Sequence, residues 1–193
     1  MDNDNIKIQQ IKTLSDDHYV LRKVSFKYRT KSGNWQLQSR ECYDRGDGAA
    51  LLLYHKINKT VVLTRQFRMP SFLNQNTSGM MIEVCAGLLD NDDPETCIIK
   101  EAEEETGYHI EKPTKIFELY STPGAVTEKI HYYTAPYTDE MKKSKGGGLP
   151  TETEEIEVLE LSGTKAIDMI ASGEIQDAKT VVLLLYAQSK GLI

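Results

Sequence analysis

Between His18 and Arg29 (HYVLRKVSFKYR) apolar and polar positions alternate imperfectly, in a stretch rich in aromatic and β-branched residues. That pattern predicts a strand. Thr30 to Asn34 (TKSGN) is turn chemistry, and Trp35 to Tyr43 extends again. A hairpin is expected, with a further strand from Ile6 to Ile11. Three short strands bury too little surface to stand alone. This N-terminal piece must pack on the rest of the chain or on a second subunit.

From Gly48 the pattern changes. Ala49 to Tyr54 and Val61 to Phe67 are compact apolar runs across a polar turn, and predict strands more buried than the first hairpin. Met80 to Ala86 is a third. Asp93-Pro94-Glu95 is a helix start: an Asp cap, Pro at the first helical position, an acid after it. Gly107 is the matching stop, where a left-handed residue closes a helix. Strands are expected at Lys115 to Tyr120, Ile130 to Ala135 and Ile156 to Leu161, and helices at about Gly163 to Ser172 and Lys179 to Lys190. Lys142 to Pro150 (KKSKGGGLP) has the composition of a mobile loop. The order is mixed strands with inserted helices, not a regular βαβ series, and no internal repeat is present.

Composition narrows the setting. The 193 residues are 39% apolar and 27% charged, which suits a folded chain of one domain, or a catalytic domain with a small accessory piece. The 23 basic and 29 acidic residues leave a charge of −6 and no basic tail, which disfavours nonspecific binding to nucleic acid or anionic membrane. An anionic ligand stays open, because a site needs only a few local cations or a metal. Cys42, Cys85 and Cys97 are far apart and make no C-x-x-C pair. The first residues, MDNDNIKIQQ, do not read as a signal peptide, and no apolar run reaches the ~18–20 residues of a membrane span. The expectation is a reduced, cytoplasmic, soluble protein.

The most unusual segment is Lys100-Glu101-Ala102-Glu103-Glu104-Glu105-Thr106-Gly107. On a helix, Glu101, Glu104 and Glu105 fall at i, i+3 and i+4, so one face carries three carboxylates. Like charges at that spacing cost only ~0.2–0.5 kcal/mol per pair. A solvated acidic face and a site for a hard cation therefore both remain open on energy alone.

Context decides. The stretch from Gly87 through Asp92, Lys100-Glu101 and Glu104-Glu105-Thr106-Gly107-Tyr108 resembles the Nudix box, a loop-helix-loop unit that holds divalent metal against a diphosphate. Three positions depart from its pattern. Lys100 replaces the Arg, Asp92 stands in for the first Glu, and the loop after Gly87 is one residue short. Asp92 is one methylene shorter than Glu, so a rearranged hydrogen bond is expected at that end. Arg65-Gln66-Phe67-Arg68, the Ala86-Gly87 pair, and Pro123 in Ser121-Thr122-Pro123-Gly124 resemble the branch of that family acting on ADP-ribose and nucleoside diphosphate sugars.

The resemblance implies an α/β (α+β) fold: a Nudix-type α/β/α sandwich with a mixed sheet (46–193), preceded by a small N-terminal antiparallel β domain (1–45) for dimerisation and substrate contacts. It implies a nucleotide-sugar substrate, with GDP-mannose favoured and ADP-ribose or another nucleotide sugar the alternative. Mg2+ is the implied cofactor, with Mn2+ able to replace it. The implied partner is a second copy, in a domain-swapped homodimer. Glu101, Glu105 and the Ala86 carbonyl are implied metal ligands, with Glu104 bridging or orienting a second ion. Glu154, with Glu152 second, is the implied metal ligand, general base, or both, on the loop after the triple glycine. Arg68 is implied at a phosphate, where its fork suits phosphate oxygens. His18, Tyr19, Ser39, Arg40 and Glu41 are implied at the base and ribose, Glu128 near the sugar, and Ala86, Gly87, Leu88 and Lys179 at further substrate contacts.

Other motifs fail. Gly46-Asp47-Gly48 lacks a third glycine, there is no phosphate-loop or nucleophile-elbow sequence, and the four His make no H-x-x-x-H pair. Two rivals from other classes stay in view: a ligand-binding regulator without chemistry, and a structural protein with an acidic helix.

Overall fold

The computed structural model describes residues 3–149 and 155–193, so Glu152 and Glu154 lie outside the described residues. The chain divides into two compact units, Met1–Asp47 with Tyr120–Lys129, and Gly48–Leu119 with Ile130–Ile193.

The first unit is an antiparallel sheet of β1 (Ile6–Asp16), β2 (Val20–Arg29) and β3 (Trp35–Asp44), in that order. Breaks in register between Ile8 and Gln10, and between Thr13 and Ser15, interrupt the pairing of β1 with β2. Among its described residues up to Asp47, none is buried. The segment 120–129 belongs to this unit by hydrogen bonds: Tyr43 donates its N–H to Ala125 O at 2.8 Å, and Thr127 donates to Tyr43 O at 3.0 Å.

The second unit is built on a seven-stranded mixed sheet. Its strands are β4 (Gly48–Tyr54), β5 (Thr60–Phe67), β6 (Met80–Glu83), β7 (Cys85–Leu88), β8 (Thr114–Tyr120), β9 (Lys129–Pro136) and β10 (Glu157–Ser162). The central path runs β10-β5-β4-β9-β8, and β4 with β9 is parallel. Every residue of β4 is buried, as its unbroken apolar run requires. Alternate residues of β4 face opposite sides. Ala50, Leu52 and Tyr54 join one core with α3 (Gly163–Ser172) and α4 (Ala178–Ser189), while Ala49, Leu51 and Leu53 join a second with α2 (Pro94–Glu101). The result is a mixed sheet with helices on both faces, as the resemblance implied.

The predicted strand from Met80 to Ala86 is interrupted at Val84. Residues Met80–Glu83 pair with β5, and Cys85–Leu88 pair with β4. β4 and β5 pair with each other only at Leu53–Val62 and Tyr54–Val61, so β6 and β7 fill the fork where they diverge. At the crossover the N–H of Val84 finds the Thr180 hydroxyl at 2.8 Å, which leaves no orphan donor at that break. A short helix, α1 (Met69–Leu73), also fills a stretch that carried no helical pattern.

Candidate active site

The acidic helix begins as its cap predicts. Asp93 Oδ1 accepts from the N–H groups of Glu95 and Thr96, both at 3.1 Å, and Pro94 opens the first turn. The α-helix ends at Glu101. Ala102–Thr106 continues as a π-helical turn, and Gly107 closes it at φ 81°. That wider turn changes the angular spacing expected of three carboxylates on one α-helical face. Glu105 is turned inward and is only 2% exposed, Glu101 is half-buried, and Glu104 is exposed.

The inward pair meets the strand β7. Glu105 Oε2 accepts from the Ala86 N–H at 3.2 Å. Glu101 lies against Gly87, where an added Cβ would fall 1.9 Å from Oε1. The missing methyl of Gly87 is therefore the space that the Glu101 carboxylate uses. Burial drives the Cys85 thiol well above its usual pKa, and the Glu105 and Glu101 carboxylates beside it act in the same direction. Leu88 contributes its carbonyl to the helix, accepting from Cys97 Sγ at 3.2 Å.

Among the described residues, no three His, Cys, Asp or Glu side chains are gathered closely enough to hold a metal by themselves. The available set is two carboxylates closing on the backbone of Ala86–Gly87. Its donors are oxygens, the chemistry that suits a hard divalent cation rather than a soft one. On those grounds the residues fit a Mg2+-type ion.

The triple glycine is not the free loop its composition suggested. Gly147 donates to Glu105 O at 2.9 Å and Gly148 to Glu104 O at 3.1 Å. A Cβ on Gly146, at φ 65°, would fall 2.4 Å from Glu105 O. These glycines let the backbone close over the end of the acidic helix and satisfy its carbonyls. Ile156 donates to Gly147 O at 3.2 Å, so the chain is tied to that same point on the far side of Glu152 and Glu154.

Arg68 and Lys179, from opposite ends of this unit's sequence, meet at one residue that sequence reasoning missed. Glu83, 4% exposed, accepts from Arg68 Nε at 2.7 Å and from Lys179 Nζ at 2.5 Å. Lys179 also donates to Asp177 Oδ1 at 2.9 Å, and Asp177 Oδ2 caps α4 through the Thr180 N–H at 2.9 Å. Burial opposes the charge on Glu83, but Lys179 and Arg68 outweigh it and hold its pKa below the ordinary carboxylate value. Burial likewise opposes charge on Lys179 and Arg68, and Glu83 reverses it in each.

In the N-terminal unit the named residues fall in two places. The ring of His18 lies 4.3 Å from that of Tyr19, which meets Tyr43 edge-on at 5.8 Å and has the Arg45 guanidinium 5.5 Å above it. Glu128 is buried beside this cluster, with Arg45 Nη1 at 3.0 Å and the Ser121 hydroxyl at 2.7 Å on its two oxygens. Ser39, Arg40 and Glu41 sit mid-strand, paired with Ser25, Val24 and Lys23. Arg40 is four residues along β3 from Asp44, the partner of Val20, which is about 13 Å. One chain does not bring Ser39–Glu41 together with His18 and Tyr19.

The fold and the box are those of a class of hydrolases, and comparison defines it. A NUDIX domain model matches residues 44–181, and the domain described as the GDP-mannose pyrophosphatase NudK N-terminal domain matches residues 5–43. The chain belongs to the Nudix hydrolase family, whose members generally use divalent metals. It is 53% identical over 182 residues to proteins named GDP-mannose pyrophosphatase from Citrobacter koseri and Salmonella typhimurium, covering 94% of this chain and of each of those. A protein of the same name from Salmonella arizonae is 51% identical over 189 residues, 98% of each chain. A crystal structure of an ADP compounds hydrolase matches over 100% of both chains with a TM-score of 0.72 and 16% identity, a likeness of fold. No helix among the described residues is long and apolar enough to cross a membrane.

Proposed function

We propose that this chain hydrolyses the diphosphate bond of GDP-mannose, releasing GMP and mannose 1-phosphate, with Mg2+ as cofactor and Mn2+ able to replace it. The observation that carries the reading is the closure of Glu101 and Glu105 on Ala86–Gly87 in a chain 53% identical to GDP-mannose pyrophosphatases. In this reading Glu101, Glu105 and the Ala86 carbonyl hold the metal, and Glu104 serves a second ion or orients the first. When bound, the metal supplies charge neutralisation at the diphosphate oxygens and acidifies a water.

The protein's own tasks are binding and proton handling. Arg68 holds a phosphate through its outward guanidinium edge, and Lys179, Gly87 and Leu88 add contacts. Glu154, with Glu152 second, takes the proton of the attacking water. The tie from Ile156 through Gly147 to Glu105 supports that role, because it fixes the end of the loop beside the acidic helix. His18, Tyr19, Ser39, Arg40 and Glu41 contact base and ribose, and Glu128 the sugar.

The N-terminal β domain (1–45) then serves dimerisation and substrate contact, and residues 46–193 the chemistry. A domain-swapped homodimer is supported by the exposed Ile11, Leu14, Tyr28, Trp35 and Leu37 of a sheet with no buried residue. A small three-stranded sheet has little surface to bury by itself. The separation of Ser39–Glu41 from Tyr19 also suits a site drawing on two copies. Sedimentation should give a particle of twice 21.8 kDa, and a monomer at all concentrations overturns the dimer.

A panel of nucleotide sugars with Mg2+, its products separated by chromatography, tests the substrate. GDP-mannose should be turned over best, to GMP and mannose 1-phosphate. Faster turnover of ADP-ribose overturns the substrate, and binding without products from any member overturns the hydrolysis.

A further inference from the structure

Two cations from distant parts of the chain, Arg68 after β5 and Lys179 in the first turn of α4, converge on the single buried carboxylate of Glu83. We propose that Glu83 is the positioning residue of a two-cation phosphate clamp, setting the direction in which Arg68 and Lys179 present their remaining donors. The proposal rests on the reading that Arg68 takes a phosphate of the substrate.

The donor inventory supports it. A guanidinium has five N–H groups in a fixed plane. Arg68 gives Glu83 the one on Nε, while its side chain stays 41% exposed. Among the described residues its two terminal nitrogens have no hydrogen-bond partner. The anchored edge thus fixes the plane and leaves the forked edge for a bidentate anion. Lys179 has three N–H groups, with one on Glu83 and one on Asp177, and its side chain is 14% exposed. One donor remains.

Glu83 is itself held firmly. It is the last residue of β6, and the next N–H, that of Val84, is bonded to Thr180. Asp177 Oδ2 also takes the Thr180 hydroxyl at 2.6 Å. Strand end and helix start are therefore joined next to the carboxylate through the Thr180 hydroxyl, which Asp177 in turn holds. Glu83 and Asp177 face the two cations and the Glu105 carboxylate also acts on Arg68, so the charge of both cations is compensated before any ligand arrives. A long side chain that is already oriented loses less freedom when it binds, which is how positioning becomes affinity.

The test is a double-mutant cycle between Glu83→Gln and Arg68→Ala in the full-length protein. Glu83→Gln keeps the shape but accepts only one of the two cations. It should raise KM for the nucleotide sugar by on the order of tenfold, the scale of a hydrogen bond to a charged group, with a smaller change in kcat. In the Arg68→Ala background the same change should cost less than about twofold, because the groups act as a unit. Glu83→Asp keeps the charge, and so the fold, but is too short to reach both partners. It should show the same rise in KM and the same loss of effect beside Arg68→Ala. Calorimetry with inorganic pyrophosphate and Mg2+ repeats the cycle without turnover. A protein that hydrolyses no nucleotide sugar but shows coupling in pyrophosphate affinity overturns the proposed function and keeps the clamp. Independent, multiplicative effects in both assays, or an unaltered KM in Glu83→Asp, overturn the clamp.

Discussion

Lys100 Nζ lies 2.6 Å from Asp92 Oδ2. These are the two residues that depart from the family's Arg and first Glu, and they face each other across the loop that leads into the acidic helix. At that end of the box the shorter Asp92 and the substituted Lys100 form an ion pair. The pair raises the pKa of Lys100 through that hydrogen bond and the Asp92 charge. Both side chains are about half exposed, so the pair is open to screening by salt. Asp92→Ala should lower the melting temperature slightly at low ionic strength, and the difference should vanish at high salt. Melting curves across a salt series check this, and a difference that persists at high salt would assign Asp92 another role.

Gly87 is predicted to matter through what it leaves room for. A Cβ there meets the end of the Glu101 side chain, which can swing aside, so Gly87→Ala should fold normally. It should nonetheless weaken Mg2+ activation by about 10–100-fold, as changes in the surroundings of a metal ligand do. Glu101→Gln and Glu105→Gln should each reduce turnover by more than ~100-fold, with an unchanged circular dichroism spectrum. Titration of activity with Mg2+ separates a displaced ligand from a damaged fold. Near-normal activity in both Gln variants would remove the metal assignment.

Gly146 is held at φ 65° with the carbonyl of Glu105 where a side chain would go. Backbone, unlike a side-chain end, cannot swing aside. Gly146→Ala should cost about 1–3 kcal/mol of stability through strain and the displaced loop. It should also lower kcat, since the displaced segment leads to Glu152 and Glu154. Urea denaturation and steady-state kinetics on the same sample would expose a glycine tolerant of substitution, contrary to this account.

Acid should find the Glu83 cluster. The folded-state pKa of Glu83 is held below its ordinary 4.5 by Lys179 and Arg68, against the opposing effect of burial. Its contribution to stability is therefore complete above pH 4.5 and is lost as the pH falls through the lower, folded value. Lys179 behaves oppositely. Its pKa is raised above 10.5, so its share is complete below pH 10.5 and is lost as the pH climbs through the folded value. Glu83→Gln should flatten the acid limb of stability against pH. Denaturant midpoints from pH 3 to 7 would reveal an unchanged slope if Glu83 were not the group responsible.

Local signals accounted for most of the fold. The Asp93 cap, Pro94 and Gly107 mark the acidic helix because capping is settled by neighbouring residues, and β4 reads from one uninterrupted apolar run. Features set by distant partners were not legible. Val84 breaks a strand because β4 and β5 diverge, and no residue beside it says so. The π-helical turn shares its composition with an α-helix and differs only in hydrogen bonding. Glu83 sits in an ordinary strand sequence, and Lys179 is 96 residues away. The triple glycine reads as flexibility because composition cannot tell freedom from close approach. The acidic residues of the candidate site thus stood out in the sequence, while Glu83, on which Arg68 and Lys179 converge, did not.

The two family assignments lie end to end along the chain, 5–43 and then 44–181. The folded units do not. Residues 120–129, within the second assignment, hydrogen-bond to Tyr43 and carry Glu128 to Arg45. The N-terminal unit is therefore not a cassette that can be gained or lost by one cut or one fusion. Moving it to another hydrolase would mean moving a loop of that hydrolase as well, so each piece constrains how freely the other can change.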